Sequence, residues 1–157
     1  MCYVRKYLDD EMSGWSVYAN RFINCQVGTF IGGGRDNSFH DNYYKDCDKA
    51  QHFDDRGLGW QNYGCNCTGP ISATSPCNPA AAWAVVKDKA NARLVAAYPD
   101  MKRSVLPAHG GTHMCIPTNN RIENNTYCRC KVYADVTQQQ AKAWLSVMRN
   151  NTEVMTC

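Results

Sequence analysis

Residues 38–51 read SFHDNYYKDCDKAQ, and the fold we expect depends mainly on this stretch. Its larger apolar residues recur at intervals of three and four, which is the spacing of one face of an α-helix: Phe39, Tyr43, Cys47 and Ala50. This spacing predicts a helix over about 38–51. His40 and Tyr44 would then lie one turn apart on the opposite side of that helix, away from the predicted core.

The same spacing predicts three more helices on either side of this stretch. One covers 14–26, where aromatic residues and a cysteine share a face. A second is capped by Asn78 and ends before Pro99, because proline cannot continue a helix. A third begins with a capping box at Thr137 and runs through Met148.

Strands are predicted around 104–106 and 114–116, and over 127–136, where residues alternate between two faces. One face of the last strand would hold cysteines and small apolar residues: Cys128, Cys130, Val132 and Ala134. We recognise no internal repeat. We therefore expect an α+β fold, a single disulfide-rich domain over 1–157 with about four helices packed on a small antiparallel sheet.

Cysteine content indicates how such a domain would be stabilised. Leu, Ile, Val and Phe together number 25 of the 157 residues, whereas there are 10 cysteines. An even number of cysteines in a chain with few aliphatic residues favours disulfides, each of which contributes about 2–4 kcal/mol. Several of these cysteines fall on predicted apolar faces, which favours bridges over reactive thiols: Cys25, Cys47, Cys128 and Cys130.

A disulfide-rich chain is typical of a secreted protein, and we expect this localisation. Three N-glycosylation sequons, at Asn66, Asn124 and Asn150, favour the same compartment. Residues 1–12 have no apolar run like that of a signal peptide, so we expect the mature form. No stretch approaches about 20 apolar residues, so we expect no membrane span. The alternative is a reduced cytosolic protein with scattered thiols.

Two segments carry residues suited to acid–base chemistry. His109 and His113 flank a Gly-Gly pair, and imidazoles titrate near neutral pH. His40 is followed by Asp41, which can orient its ring. The alternatives are histidines on a surface loop and a solvated helix face. Two consecutive glycines disfavour the helix that a metal pair at this spacing needs, so we predict no metal and no other cofactor.

The string Thr112-His113-Met114-Cys115-Ile116 is similar to the Ser/Thr-His-Gly-Cys-aliphatic signature of the L,D-transpeptidases. Met114 stands where that family has glycine, and the match covers five residues. The resemblance implies a Cys/His hydrolase with Cys115 as its nucleophile. This role requires that Cys115 is free rather than part of a disulfide.

Aromatic residues suggest a binding function. We predict that Tyr44, Trp60 and Tyr63 contact a ligand, because aromatic rings on rigid loops suit sugar and protein surfaces. The alternative, which is stronger for Tyr63, is that these rings complete a core with few aliphatic residues. The leading hypothesis is a secreted, toxin-, effector- or lectin-like protein that binds an extracellular protein or glycan. The alternative is a small secreted hydrolase of the ribonuclease or phosphodiesterase type, and only this alternative would make nucleic acid a partner.

Overall fold

The structure is a computed structural model and describes residues 2–10, 12–57, 92–97, 117–136 and 145–157. Nearly all of these residues lie in β-strands or in the corners between them, apart from a short helix at Ala92–Ala97. The strands are β1 (Cys2–Leu8), β2 (Ser16–Tyr18), β3 (Arg21–Ile23), β4 (Cys25–Gly32), β5 (Ser38–His40), β6 (Tyr43–Lys45), β7 (Lys49–Asp54), β8 (Asn120–Glu123), β9 (Thr126–Cys128), β10 (Val132–Asp135), β11 (Leu145–Arg149) and β12 (Thr152–Val154).

These strands form three parallel sheets with four strands each. Sheet A has the order β1-β4-β7-β10, sheet B the order β11-β8-β5-β2, and sheet C the order β12-β9-β6-β3. Successive strands of the chain therefore enter sheets A, B and C in turn, and each circuit adds one strand to every sheet. This is a β-solenoid, and we call each circuit a rung.

The predicted α+β fold with four helices and an antiparallel sheet is therefore wrong. Residues 14–26 contain β2, β3 and the start of β4, and 38–51 contain β5, β6 and the start of β7. All described strand pairs are parallel. A solenoid corner after every few residues places inward-facing residues three to five apart, and this spacing resembles that of a helix.

The other predicted elements fall partly outside the described residues. Of the segment between Asn78 and Pro99, the structure describes the helix Ala92–Ala97. The strands predicted at 104–106 and 114–116 lie in the part that is not described. The helix predicted through Met148 is wrong at its end, since Leu145–Arg149 is β11. The continuous strand predicted over 127–136 is two strands, β9 and β10, with a corner between them.

Equivalent residues of successive rungs reveal a repeat, so the expectation of none is wrong. Asn20 and Asn42 are hydrogen-bonded neighbours 22 residues apart. The next neighbours, Asn42 and Asn125, are 83 residues apart. The difference of 61 residues equals the length of the segment Arg56–Ile116, which forms its own compact unit. The other unit comprises Met1–Asp55 and Pro117–Cys157 and contains the solenoid.

The solenoid core consists of side chains that stack from rung to rung. Three columns of buried residues run through the first three rungs: Leu8–Ile31–Phe53, Val17–Phe39–Ile122 and Phe22–Tyr44–Tyr127. In the aromatic column the ring centroids of Phe22 and Tyr44 are 4.9 Å apart, and those of Tyr44 and Tyr127 are 5.4 Å apart. Each such pair adds about 0.5–1.5 kcal/mol beyond the area it buries, which helps a chain with few aliphatic residues.

The corner between sheets B and C explains why the chain is rich in Asn and Asp. Four asparagines stack there with linked side chains: Asn20, Asn42, Asn125 and Asn151. Each follows a residue in the left-handed conformation, with φ between 53° and 55°: Ala19, Asp41, Asn124 and Asn150. Asn and Asp tolerate this conformation better than other non-glycine residues. Two of the three sequons coincide with this corner, which gives their Asn-Asn-Thr sequence a structural reason.

The described cysteines do not all form bridges. Cys128 and Cys157 form a disulfide with their Cα atoms 6.4 Å apart. Cys25, Cys47 and Cys130 are buried and unpaired, so the prediction that they are bridged is wrong. Strand register places these three at equivalent positions of successive rungs, where a small apolar side chain fills the core. Cys65, Cys67, Cys77 and Cys115 lie outside the described residues.

Candidate functional site

The structure describes three of the residues that we predicted to be functional. His40 ends β5, and Asp41 occupies the corner that follows it. Tyr44 lies in the middle of β6. The remaining predicted residues lie outside the described part of the chain: His109, His113, Trp60 and Tyr63.

Tyr44 does not reach the surface, so the prediction that it faces away from the core is wrong. It is 0% exposed, and its ring stacks between those of Phe22 and Tyr127. Its hydroxyl shares a hydrogen bond with that of Thr29 over 3.3 Å, and burial raises the pKa of Tyr44. Neighbouring residues of a strand point to opposite faces, so a strand buries Tyr44 where the predicted helix would have buried Tyr43.

His40 and Asp41 form a hydrogen-bonded chain with a serine that we did not predict. Nδ1 of His40 lies 2.7 Å from a carboxylate oxygen of Asp41. Nε2 of the same ring lies 3.3 Å from Oγ of Ser16. Ser16 and His40 come from neighbouring strands of sheet B, β2 and β5, and belong to successive rungs. The solenoid therefore brings together side chains that are 24 residues apart.

The ring of His40 is held in its orientation by a second neighbour. Tyr18 and His40 are register partners in sheet B, and their rings stack with a centroid distance of 5.1 Å and an interplanar angle of 3°. Ser16 and Tyr18 both point outward from β2, because Val17 between them points into the core. The imidazole is thus fixed by stacking on one side and by a carboxylate at its Nδ1 atom.

A cleft of about 310 Å³ is lined by Ser16 of this hydrogen-bonded chain and by the core-facing Val17 and Phe22, whereas His40 and Asp41 are not among its lining residues. Its lining includes the hydroxyl-bearing Ser16, the aromatic residues Trp15 and Tyr18, and two cations, Arg5 and Lys6. None of its described lining residues is acidic. A cleft of this composition suits a ligand with an apolar part and a negative charge.

Further along the outer face of sheet B, a carboxylate is held between two arginines. Glu123 is the register partner of His40, and it accepts hydrogen bonds from Arg121 over 3.1 Å and from Arg149 over 2.8 Å. Burial raises the pKa of Glu123, but the two guanidinium groups outweigh this effect and hold the pKa below its ordinary value. Glu123 is therefore a charged, structurally engaged carboxylate rather than a proton donor at neutral pH.

The outer face of sheet A carries a second cluster, which we call the sheet A row. Its members are register partners on the four strands of the sheet: Tyr7, Phe30, His52 and Asp135. The rings of Tyr7 and Phe30 have centroids 4.5 Å apart, and those of Phe30 and His52 are 4.7 Å apart. Nδ1 of His52 lies 2.6 Å from a carboxylate oxygen of Asp135.

Asp135 is the most strongly held member of the row. Its carboxylate also accepts a hydrogen bond from Nζ of Lys49 over 2.5 Å. This bond, together with that of His52, outweighs partial burial and lowers the pKa of Asp135. One end of the row is therefore a fixed carboxylate that accepts hydrogen bonds from Lys49 and His52. The other end is aromatic, and Tyr7 there is 44% exposed.

Several residues of these two sites were not predicted, because their proximity depends on the repeat. Ser16 and His40, for example, are near each other only when the chain turns back after 22 residues. A search for a 22-residue spacing would have aligned Ser16 with Ser38 and Tyr18 with His40. That alignment is the signal in the sequence that would have located the site on sheet B.

Comparison with models of protein families, with curated proteins and with solved structures found no match to this chain. Within the residues that the structure describes, no His, Cys, Asp and Glu side chains form a group of three or more that is placed to hold a metal ion. None of the helical residues described forms a segment long and apolar enough to cross a membrane.

Proposed function

We propose that this chain is an extracellular protein that binds a glycan along the sheet A row. The observation that carries the proposal is the register of Tyr7, Phe30, His52 and Asp135 across the four strands of one sheet. A pyranose ring has an apolar face of C–H groups and a rim of hydroxyls. The row offers the matching surface, with aromatic rings at one end and charged hydrogen-bonding groups at the other.

The length of the row favours an oligosaccharide over a single sugar. Neighbouring strands of a sheet are about 4.8 Å apart, so four strands place the ends of the row about 14 Å apart. Several consecutive sugar rings can therefore contact the protein at once. Because the strands are parts of a solenoid, these contacts are held at fixed spacing, and little conformational entropy is lost on binding.

The polar end of the row supplies hydrogen bonds of both kinds. The carboxylate of Asp135 accepts hydrogen bonds, whereas Nζ of Lys49 donates them, and both side chains are about two-fifths exposed. Their mutual bond keeps them in place before a ligand arrives. Preorganised donors and acceptors of this kind favour binding of hydroxyl groups over water.

An extracellular location is the second part of the proposal. It is supported by the disulfide between Cys128 and Cys157. This disulfide ties the last residue of the chain to β9, and so fixes the end of the fourth rung to the third. A reducing environment would remove this constraint.

Glycan binding is tested with a panel of soluble neutral and acidic polysaccharides and calorimetric titration of those that are retained. We expect Tyr7→Ala and Asp135→Asn each to weaken binding about tenfold or more, a loss of about 1.4 kcal/mol. The matched control is Tyr3→Ala, which removes a tyrosine that is 75% exposed on the same strand but outside the row.

The control variant should bind like the unchanged protein. If no polysaccharide binds, or if Tyr3→Ala weakens binding as much as Tyr7→Ala, the sheet A row is not a glycan site. Circular dichroism of each variant shows whether a loss of binding reflects a loss of fold.

A further inference from the structure

Ser16, His40 and Asp41 have the arrangement that activates a serine hydroxyl. We propose that these residues hydrolyse a carboxylic ester bound in the cleft beside Ser16. The proposal is independent of the sheet A row, because all three residues lie on or next to sheet B. It rests on two hydrogen bonds, His40 to Asp41 at 2.7 Å and Ser16 to His40 at 3.3 Å, and on the adjoining cleft.

The partners of the two ring nitrogens indicate the tautomer of His40. An ionised carboxylate only accepts hydrogen bonds, so Nδ1 of His40 carries the hydrogen that it donates in its bond to Asp41. In the neutral ring, Nε2 then bears the lone pair, and this lone pair faces the hydroxyl of Ser16. His40 is thus the general base, Ser16 the nucleophile and Asp41 a positioning residue that fixes the tautomer.

The reaction proceeds in two balanced halves. Oγ of Ser16 attacks the ester carbonyl carbon while its proton passes to Nε2 of His40. The tetrahedral intermediate collapses, the ester C–O bond breaks, and the leaving alcohol takes the proton back from His40. Water then attacks the acyl group on Ser16 and gives a proton to His40, which returns it to Oγ as the carboxylic acid leaves. No oxidant or reductant takes part.

The cleft indicates the class of ester. Arg5 and Lys6 line it together with Ser16, so a negative charge on the substrate, or on the oxygen of the tetrahedral intermediate, lies in a cationic environment. Trp15 and Tyr18 provide apolar contact area. We therefore assign the site to small carboxylic esters that carry an aromatic or anionic group.

The geometry also explains how the partly buried His40 keeps its orientation. Its ring stacks on that of Tyr18 at 5.1 Å. Asp41 stands at the corner with a φ of 55°, and the equivalent corner residues of the next two rungs are asparagines, Asn124 and Asn150. Asparagine is thus compatible with this corner, and Asp41→Asn should remove the charge without disturbing the backbone.

The test measures two properties of the full chain. The first is hydrolysis of 4-nitrophenyl acetate and of its anionic relative, the 4-nitrophenyl monoester of succinic acid. The second is labelling by a fluorophosphonate, with the modified peptide identified by mass spectrometry. Ser16→Ala and His40→Ala should each reduce kcat/KM about 10²–10⁴-fold, and the label should be found on Ser16.

Ser38→Ala is the matched control, because Ser38 is the register partner of Ser16 on the outer face of the same sheet. It should keep full activity and labelling. Asp41→Asn should lower kcat with little change in KM, since it alters the tautomer of His40 and not the cleft. Arg5→Gln should reduce the preference for the succinate ester over the acetate.

Three results would overturn the proposal. The first is an unchanged rate in Ser16→Ala, which would leave only ordinary imidazole catalysis by a surface histidine. The second is a label on another residue while Ser16 stays unmodified. The third is equal labelling of Ser16 with and without His40, which would show that the ring does not activate the hydroxyl. Each variant is compared at matched circular dichroism, so unfolding is not mistaken for loss of activity.

Discussion

Nδ2 of Asn42 donates a hydrogen bond to Oδ1 of Asn125 over 3.1 Å, although the two residues are 83 positions apart in the chain. The backbone N–H of Asn42 donates to the same oxygen over 3.0 Å. Both side chains are at most 1% exposed. This contact joins the second rung to the third, together with the strand pairs β4–β7, β5–β8 and β6–β9, although Arg56–Ile116 separates the two residues in the sequence.

We predict that Asn42→Ala destabilises the protein by about 2–5 kcal/mol, because it leaves several buried groups without partners. The side chain accepts hydrogen bonds from the backbone and side chain of Asn20 and donates to the carbonyl of Val17 and to Asn125. The measurement is the urea midpoint of unfolding.

Asn20→Ala is the control for this substitution. Asn20 stands at the end of the same stack but is exposed, so water replaces its lost partners. Its replacement should cost about 1 kcal/mol or less. Equal losses in the two variants would show that the buried stack does not stabilise the solenoid more than an exposed hydrogen bond.

A second prediction concerns the insertion itself. Removal of 56–116 would leave four residues between Asp54 and Asn120. The equivalent positions in the preceding rung are Gly32 and Asn37, and these are also separated by four residues. We therefore expect the shortened chain to fold as a solenoid in which the first three rungs repeat every 22 residues, followed by the existing 26-residue step to the fourth rung. The new junction should include Asp55→Gly, because the equivalent Gly33 has a φ of 80°.

The shortened chain is compared with the full chain by circular dichroism and thermal unfolding. A cooperative transition with a β-sheet spectrum is the expected result. A chain that aggregates or lacks cooperative unfolding would mean that Arg56–Ile116 is required for the solenoid to form. The same deletion without Asp55→Gly is the control for strain at the junction.

The apolar residues of 38–51 show how much of this fold the sequence makes predictable. Phe39, Cys47 and Ala50 were expected in the core and are buried. The helical period assumed for this stretch was wrong. The chain turns at Asp41 and Asp46, with φ of 55° and 52°, and each turn changes which of the following side chains point inward. Consequently Tyr44, and not Tyr43, points into the core, where it stacks in the aromatic column.

The site on sheet B was predictable in part. His40 and Asp41 are adjacent in the sequence, so their hydrogen bond follows from local geometry. Ser16 could not be added without the register of β2 and β5, which no helical interpretation supplies. The sheet A row depends on the same kind of information, since Asp135 is 83 residues from His52.

A third prediction follows from the lowered pKa of Asp135. An aspartate whose pKa is lower in the folded state than in the unfolded state stabilises the fold above about pH 4. This contribution is lost as the pH falls through the folded pKa. Asp135→Asn should therefore cost about 0.2–1 kcal/mol at pH 6 and nothing at low pH, because the pair is partly exposed.

The check is the urea midpoint at pH 6 and below pH 3. The difference between the two midpoints should be smaller in Asp135→Asn than in the unchanged protein. Lys49→Met removes the main hydrogen-bond donor to Asp135 and should reduce the same difference. An unchanged difference in both variants would show that Asp135 is not held by Lys49 in solution.

The last prediction concerns the buried thiols of Cys47 and Cys130. A hydrogen bond from Cys47 to the Cys130 thiolate lowers the pKa of Cys130 and raises that of Cys47. Cys47→Ala removes this donor, so the pKa of Cys130 should rise. The fraction of Cys130 that is thiolate at pH 7 should then decrease, by at most about tenfold for each unit of pKa increase. Residue-resolved alkylation by iodoacetamide between pH 6 and 9 measures this fraction in the native state. Cys25→Ala is the control, because it removes the other buried thiol that hydrogen-bonds to Cys47 but keeps Cys47 as the donor to Cys130. Faster alkylation of Cys130 in Cys47→Ala than in the control would mean that access to the thiol, and not its pKa, governs its reactivity.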